Sequence, residues 1–357
     1  MKKILIEGMS GNLGGIETFV HLLYTVLKDD YQVDFITVDP QIPFEEEFLA
    51  QGCTIHRITP RYRSLRQYCA DIDAVFQSNH YDVFWFNKTT LSSIYTIRSA
   101  KKHGVGKVIV ESHQSKNMGS TLTLLMHKAN RLRVGRFADV KAACSKEAAD
   151  WFYHKNDKDV IVFPNAVDTA RYEPDTSKQQ QAKQQLGLEG KFLIGSVARF
   201  APEKNHTFLI EIFSQIAKQP DAHLILCGAG QLQDEIRQLV QTKGLSDQVS
   251  FLGMRKDMPM IYQAMDVLVM PSLFEGLPFS LVEAQASGVP CVVSDTVSPE
   301  ANLTDLMNYM SLDAAPAVWA EKICSFRGYE KISKKDQLEP KGFTIEAFSR
   351  MIRAILQ

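Results

Sequence analysis

The sequence lacks any C-x-x-C pair: its six cysteines, Cys53, Cys69, Cys144, Cys227, Cys291 and Cys324, are scattered through 357 residues with no histidine cluster at ligand spacing. That argues against a disulfide framework or a zinc site and reads as reduced core thiols, with the cytoplasm as the expected compartment. No window approaches the ~20 apolar residues needed to span a bilayer. The opening Met1-Lys2-Lys3-Ile4-Leu5-Ile6 is broken by Glu7, too soon for a signal-peptide core, and reads as a first β-strand. Neither sign of charge is in excess, since 40 lysines and arginines stand against 41 aspartates and glutamates. A surface that coats nucleic acid is therefore not expected.

What is present is a repeated pattern. Short apolar runs, each followed by a helix-period segment, occur at 3–7, 33–38, 83–86, 107–111 and 140–144, then at 192–197, 223–227, 249–252, 267–270 and 291–294. This alternation predicts α/β architecture with two doubly wound, Rossmann-like domains, whose strand ends are expected to face each other across a cleft. The polar, Gln- and Lys-rich stretch Thr176 to Gln185 separates the two series. The expected division is an N-terminal Rossmann-like domain over 1–170, a C-terminal Rossmann-like domain over 171–340, and a terminal helix over 341–357. That helix, with apolar residues at Ile345, Phe348, Met351, Ile352, Ile355 and Leu356, is expected to pack back on the first domain.

The segment richest in chemistry runs Pro271-Ser272-Leu273-Phe274-Glu275-Gly276-Leu277-Pro278-Phe279-Ser280-Leu281-Val282-Glu283-Ala284. It reads as strand end, tight loop and helix start, where unpaired backbone N–H groups and a positive dipole end favour a phosphate. Carboxylates accept hydrogen bonds from vicinal hydroxyls, which suggests Glu283 for a ribose diol and Glu275 for sugar hydroxyls. Two glutamates around Glu275-Gly276-Leu277-Pro278, followed by Glu283-Ala284-Gln285-Ala286-Ser287-Gly288-Val289-Pro290, resemble the donor-site signature of the group 1 (family 4) glycosyltransferases of GT-B fold, in the variant of capsule and exopolysaccharide assembly.

The resemblance implies that the domain over 1–170 binds the acceptor and the domain over 171–340 the nucleotide sugar, and it carries further implications. Arg199 and Lys204, in Ser196-Val197-Ala198-Arg199-Phe200-Ala201-Pro202-Glu203-Lys204, resemble the family's cation pair on the donor diphosphate, where fixed charge stabilises the departing group. Gly14 and Gly15, in Gly14-Gly15-Ile16-Glu17, resemble the N-terminal loop that approaches the diphosphate and acceptor. His113 follows a predicted strand and takes the family's donor-sugar contact. Gly253-Met254-Arg255 resembles the turn whose backbone meets the nucleotide base, Cys227-Gly228-Ala229-Gly230 a neighbouring turn, and Pro164-Asn165-Ala166-Val167-Asp168 the interdomain loop, with Ala166 where the family has glycine. His113, Arg199, Lys204 and Glu275 are the candidate catalytic residues. Gly14, Gly15, Gly253, Met254, Arg255, Gly276, Leu277, Pro278, Phe279, Ser280, Leu281 and Glu283 are the candidate donor contacts.

The resemblance implies retention of anomeric configuration and a UDP-sugar donor; no carboxylate nucleophile is assigned. No cofactor is expected, and no D-x-D metal motif stands where the chemistry needs one. A dehydrogenase is disfavoured because no G-x-G-x-x-G fits the first βα turn, although Asp39 and Glu45 to Glu47 follow the second strand. A sugar-nucleotide epimerase of the same fold and a non-catalytic partner of another transferase are the remaining alternatives.

Arg98, Lys101, Lys102, Lys107, Lys116, Lys128, Arg131, Arg133, Arg136 and Lys141 crowd a span whose only acids are Glu111 and Asp139, with Leu122, Leu124, Leu125, Met126, Leu132 and Val134 between them. Such a segment fits either a peripheral contact with the inner face of the plasma membrane, bringing a glycan or polyprenyl-linked acceptor, or a solvated helix face over a core. Arg57, Arg61, Arg63 and Arg66 form a second basic stretch that could hold an acceptor phosphate.

Overall fold

The apolar runs become strands because residues buried on both faces of a parallel sheet must be apolar almost throughout. In the computed structural model, which describes residues 1–114, 120–155 and 157–357, they build two all-parallel sheets. The first has β1 (Lys2–Glu7), β2 (Tyr31–Thr37), β3 (Ile55–Arg57), β4 (Val83–Lys88), β5 (Lys107–Ser112), β6 (Val140–Ala143) and β7 (Val160–Val162) in the order β3-β2-β1-β4-β5-β6-β7. The second has β8 (Phe192–Val197), β9 (Ala222–Cys227), β10 (Val249–Gly253), β11 (Val267–Met270), β12 (Cys291–Ser294) and β13 (Met307–Met310) in the order β10-β9-β8-β11-β12-β13. The order reverses between β1 and β4 in one sheet and between β8 and β11 in the other. Loops diverge at such points and leave a crevice beyond the strand ends.

Three strands escape the sequence pattern: β3, β7 and β13, all at sheet edges. An edge strand pairs on one side and is partly solvated, so His56, Arg57, Asn308 and Tyr309 are tolerated and no apolar run marks β3 or β13, whereas β7 is an apolar run, Val160-Ile161-Val162, of only three residues.

The chain divides into a first unit of Met1–Asn165 with Phe348–Gln357 and a second of Ala166–Ala347. The stretch Thr176–Gln185, polar enough to read as a separator, is a helix of the second unit. Asp175 caps it by accepting from the N–H groups of Ser177 and Lys178 at 2.8 and 3.0 Å, Ala182 is buried, and Lys183 pairs with Asp266 at 2.7 Å. Ahead of it, Val167 exchanges backbone bonds with Phe343 and Ile345, which ties Ala166–Tyr172 to the second unit. The closing helix, Ile345–Leu356, joins the first unit from Phe348 onward. There Phe348 is fully buried with its ring 5.7 Å from Phe19 and 6.2 Å from Phe163, and Lys107 Nζ donates to the Ile355 carbonyl.

Candidate functional site

In the second unit the loops after β8 and β11 flank the reversal of strand order. The β8 loop turns through a short 3-10 segment, Pro202–Lys204, and exits at Asn205 in the left-handed region (φ 54°). The N–H of Leu273, in the β11 loop, donates to the Glu203 carbonyl at 2.8 Å, so the two loops are stitched by backbone. Across that seam the Lys204 ammonium contacts Glu275 Oε1, which also accepts from Ser272 Oγ at 3.2 Å. These side chains are 14% and 10% exposed, so the charges are held in place but reachable. Arg199 is 69% exposed, with one nitrogen 3.1 Å from Glu203. The structure thus brings Arg199, Lys204 and Glu275 onto two adjoining loops.

Gly276 and Leu277 lead from Glu275 into the Phe279–Ala286 helix, where Pro278 is the N-cap and supplies no side-chain acceptor. Leu281 is buried in the core, so only its backbone is available to a ligand. Glu283, one turn on, accepts from the Tyr172 hydroxyl through Oε1 at 2.8 Å and from the Tyr262 hydroxyl through Oε2 at 2.9 Å. Burial pushes its carboxyl above the usual range, and the two tyrosine hydrogen bonds oppose that rise. Each oxygen retains a lone pair, so the clamp orients Glu283 without saturating it. Lys331 in turn donates to the main-chain oxygens of Tyr262 and Gln263 at 3.1 and 2.6 Å. Both tyrosines went unremarked in the sequence, where nothing local links position 172 or 262 to position 283.

At the end of β10, Gly253 adopts φ 66° and its carbonyl accepts from Gly228 N–H at 2.9 Å. Arg255 forms a two-pronged pair with Asp257 at 2.8 and 2.6 Å, which commits its side chain and leaves the turn's backbone, beside the exposed Met254, for any ligand.

In the first unit a cavity of about 280 Å³ lies at the ends of β1, β2 and β4. Glu7 reaches Lys88 at 3.0 Å there, Glu17 accepts from Ser10 N–H and Oγ at 3.2 and 2.6 Å, and Asp39 accepts from Gly11 N–H at 3.1 Å. Asp39 is thereby occupied in holding the glycine loop. Gly14 is the N-cap of the Gly15–Leu27 helix, without a side-chain cap. Glu7, Lys88 and Asn87 were missed in the sequence, although a single acid ending an otherwise apolar strand was a usable signal. His113 follows β5 with its side chain 4% exposed, and burial lowers its pKa to about 3, so the imidazole is neutral.

The basic span does not form one face. Lys101 pairs with Asp139, Lys102 with Asp73 and Lys141 with Asp157, while Lys107 and Arg131 donate to main-chain oxygens. Arg57 turns to Glu45 and Arg61 to the Ser92 carbonyl. Lys116 lies outside the described residues. Among the described residues no helix is long and apolar enough to cross a membrane, and no group of three or more His, Cys, Asp or Glu is placed to hold a metal ion.

This architecture and these loops have counterparts. The Glycosyltransferase Family 4 model matches residues 13–171 and the Glycosyl transferases group 1 model matches residues 178–322. The Bacillus subtilis protein EpsF, named as a glycosyltransferase, is 30% identical over 338 residues, covering 90% of this chain and 87% of its own. The Escherichia coli UDP-Gal:alpha-D-GlcNAc-diphosphoundecaprenol alpha-1,3-galactosyltransferase is 36% identical over 141 residues, 38% of this chain and 36% of its own. Among solved structures, Anabaena HepE in complex with UDP-glucose superposes with a TM-score of 0.80 at 20% identity, covering 100% of this chain and 99% of that one. The two strand-reversal sites thus sit in a GT-B fold, and the chain belongs to the group 1 glycosyltransferases and is a transferase enzyme.

Proposed function

We propose that the protein transfers a sugar, with retention, from a UDP-sugar to a hydroxyl of a glycan or polyprenyl-linked glycan in capsule or exopolysaccharide assembly, without a metal ion. The observation that carries this reading is the Lys204–Glu275 pair across the β8 and β11 loops, with Arg199 exposed beside it. The arriving diphosphate competes with Glu275 for the Lys204 ammonium, and Arg199 adds a planar fork. The negative charge that grows on the leaving diphosphate then meets cations already in place. The uncapped start of the Phe279–Ala286 helix adds backbone donors. Glu275, released from Lys204, accepts from sugar hydroxyls, and Glu283 accepts from the ribose diol. His113 contributes a donor-sugar contact, and Gly14, Gly15 and the Gly253–Arg255 turn offer backbone to diphosphate and base.

UDP and the lipid-linked acceptor are supported by the UDP-glucose bound to HepE and by the E. coli relative's named reaction. Peripheral contact with the inner face of the plasma membrane is part of the proposal. It rests on Leu122, Leu125 and Leu132, which are 60–70% exposed and share one face of the Thr121–Val134 helix, with Lys128 and Arg133 beside them.

The test incubates the purified chain with a panel of UDP-hexoses and UDP-N-acetylhexosamines plus membrane extract, following UDP release, labelled product and product anomeric configuration. Acceptor-dependent UDP release with retention is expected. Inversion would remove the stereochemical assignment, interconversion of free donor would mark an epimerase, and tight UDP binding without turnover would mark a partner subunit.

A further inference from the structure

Asn87 is the penultimate residue of β4 and is fully buried. Its amide lies between two partners: Nδ2 donates to the main-chain oxygen of Glu7 at 3.1 Å, and Oδ1 is 3.0 Å from His113 Nε2. A carbonyl oxygen can only accept, so the amide nitrogen must face Glu7 and the amide oxygen must face the imidazole. The amide oxygen also can only accept, so the proton of the neutral ring sits on Nε2. Nδ1 is then the atom with the lone pair.

The surroundings fix the amide and the ring in place. Trp85 Nε1 donates to Oε2 of the fully buried Glu111 at 2.8 Å, which turns Oε1 toward the same Nε2 at 3.7 Å, beyond hydrogen-bond distance, and burial holds that carboxyl well above its usual range, so Asn87 Oδ1 is the acceptor in contact with Nε2. The residue is held in place by its main-chain N–H, which donates to the Lys88 carbonyl at 3.0 Å, and its ring by Phe19, whose centroid is 4.8 Å away. Gly8 makes room for the amide: at φ +147° a Cβ there would fall 2.6 Å from the Asn87 Cβ. A bare glycine after β1 is thus what lets Asn87 reach the Glu7 carbonyl.

We propose that Asn87 is the positioning residue for His113, locking it in the Nε2–H tautomer so that Nδ1 is offered as a hydrogen-bond acceptor to a hydroxyl of the donor sugar. The inference rests on the reading of His113 as the donor-sugar contact. In this arrangement His113 recognises a hydroxyl hydrogen and does not donate to the sugar.

Long-range 1H–15N NMR of the full-length chain carrying 15N-histidine reads the tautomer directly, with His113 assigned by the signals lost in His113→Gln. A pyrrole-type Nε2 and a pyridine-type Nδ1 are expected between pH 5.5 and 8.5. Asn87→Asp keeps an acceptor and should keep the tautomer, but its carboxylate should raise the pH at which the ring takes up a proton. Asn87→Ala should lose the tautomeric preference. It should also lower kcat by ~tenfold, on the scale of one hydrogen bond, on whichever UDP-hexose of the panel the wild-type enzyme turns over, with affinity for UDP alone unchanged. A wild-type His113 protonated on Nδ1, or an unchanged tautomer in Asn87→Ala, overturns the positioning role while leaving the transferase reading intact. The expected tautomer combined with wild-type turnover in His113→Gln overturns the sugar contact instead.

Discussion

The Lys204 ammonium and the Glu275 carboxylate form an ion pair that joins the loop after β8 to the loop after β11. These positions are 71 residues apart in sequence, and the reversal of strand order makes their loops neighbours. The pair keeps two charges of opposite sign at one place, which the proposed transfer would use as a cation for a diphosphate and an acceptor for hydroxyls.

Lys204→Ala is expected to lower kcat by roughly 10²–10³-fold, the usual consequence of removing one preorganised donor from a developing oxyanion. It also leaves Glu275 without its cation, so the melting temperature should fall, by an amount equivalent to about 1–3 kcal/mol. The double variant Lys204→Met with Glu275→Leu separates the two effects. Calorimetry should show stability recovering while UDP-release assays show no recovery of turnover; recovered turnover would mean that the pair is purely architectural.

Tyr172→Phe and Tyr262→Phe each remove one hydrogen bond to Glu283. Each bond to a charged group contributes about 1.5–3 kcal/mol, so UDP affinity measured by titration calorimetry should weaken roughly tenfold or more in either variant. Because both hydroxyls hold the carboxyl pKa down against burial, each variant should also move the acidic limb of UDP binding to higher pH. Unchanged UDP affinity in both variants would detach Glu283 from the nucleotide.

His113 supplies a pH signature of stability. Its folded pKa, about 3, lies below the ordinary imidazole value of 6.5 because burial disfavours the imidazolium. The stability it contributes is therefore complete above about pH 6.5 and is lost as pH falls toward 3. His113→Gln should show a shallower loss of unfolding free energy between pH 6.5 and 4 in urea titrations. Parallel curves for the two proteins would contradict the buried neutral imidazole.

Membrane contact predicts that Leu122→Glu with Leu125→Glu abolishes sedimentation with vesicles of phosphatidylglycerol and phosphatidylethanolamine, with the wild-type melting temperature retained because both side chains are exposed. Sedimentation of the variant like the wild type, or of neither protein, would assign the helix to plain surface.

Much of the site is legible in sequence because its parts are local. The Glu275–Glu283 spacing, the Arg199–Lys204 spacing and the strand that precedes each segment all fall within short windows, and a βα unit converts such a window directly into a loop at a strand end. The core strands are legible for the same reason, since burial on both faces writes an apolar run into consecutive residues. The sequence by itself determined these elements and supplied the candidate groups on their loops.

Tertiary structure alone decided the partners. Tyr172 and Tyr262 come from 111 and 21 residues away to hold Glu283, Asn87 reaches across 26 residues to orient His113, and Asp175 turns a polar stretch into a capped helix of the second unit. It also dispersed the basic span, sending Lys101, Lys102 and Lys141 to separate acids. Hydrogen bonds and ion pairs act over a few ångströms of space, and no local period records which distant residue the fold will bring within that reach.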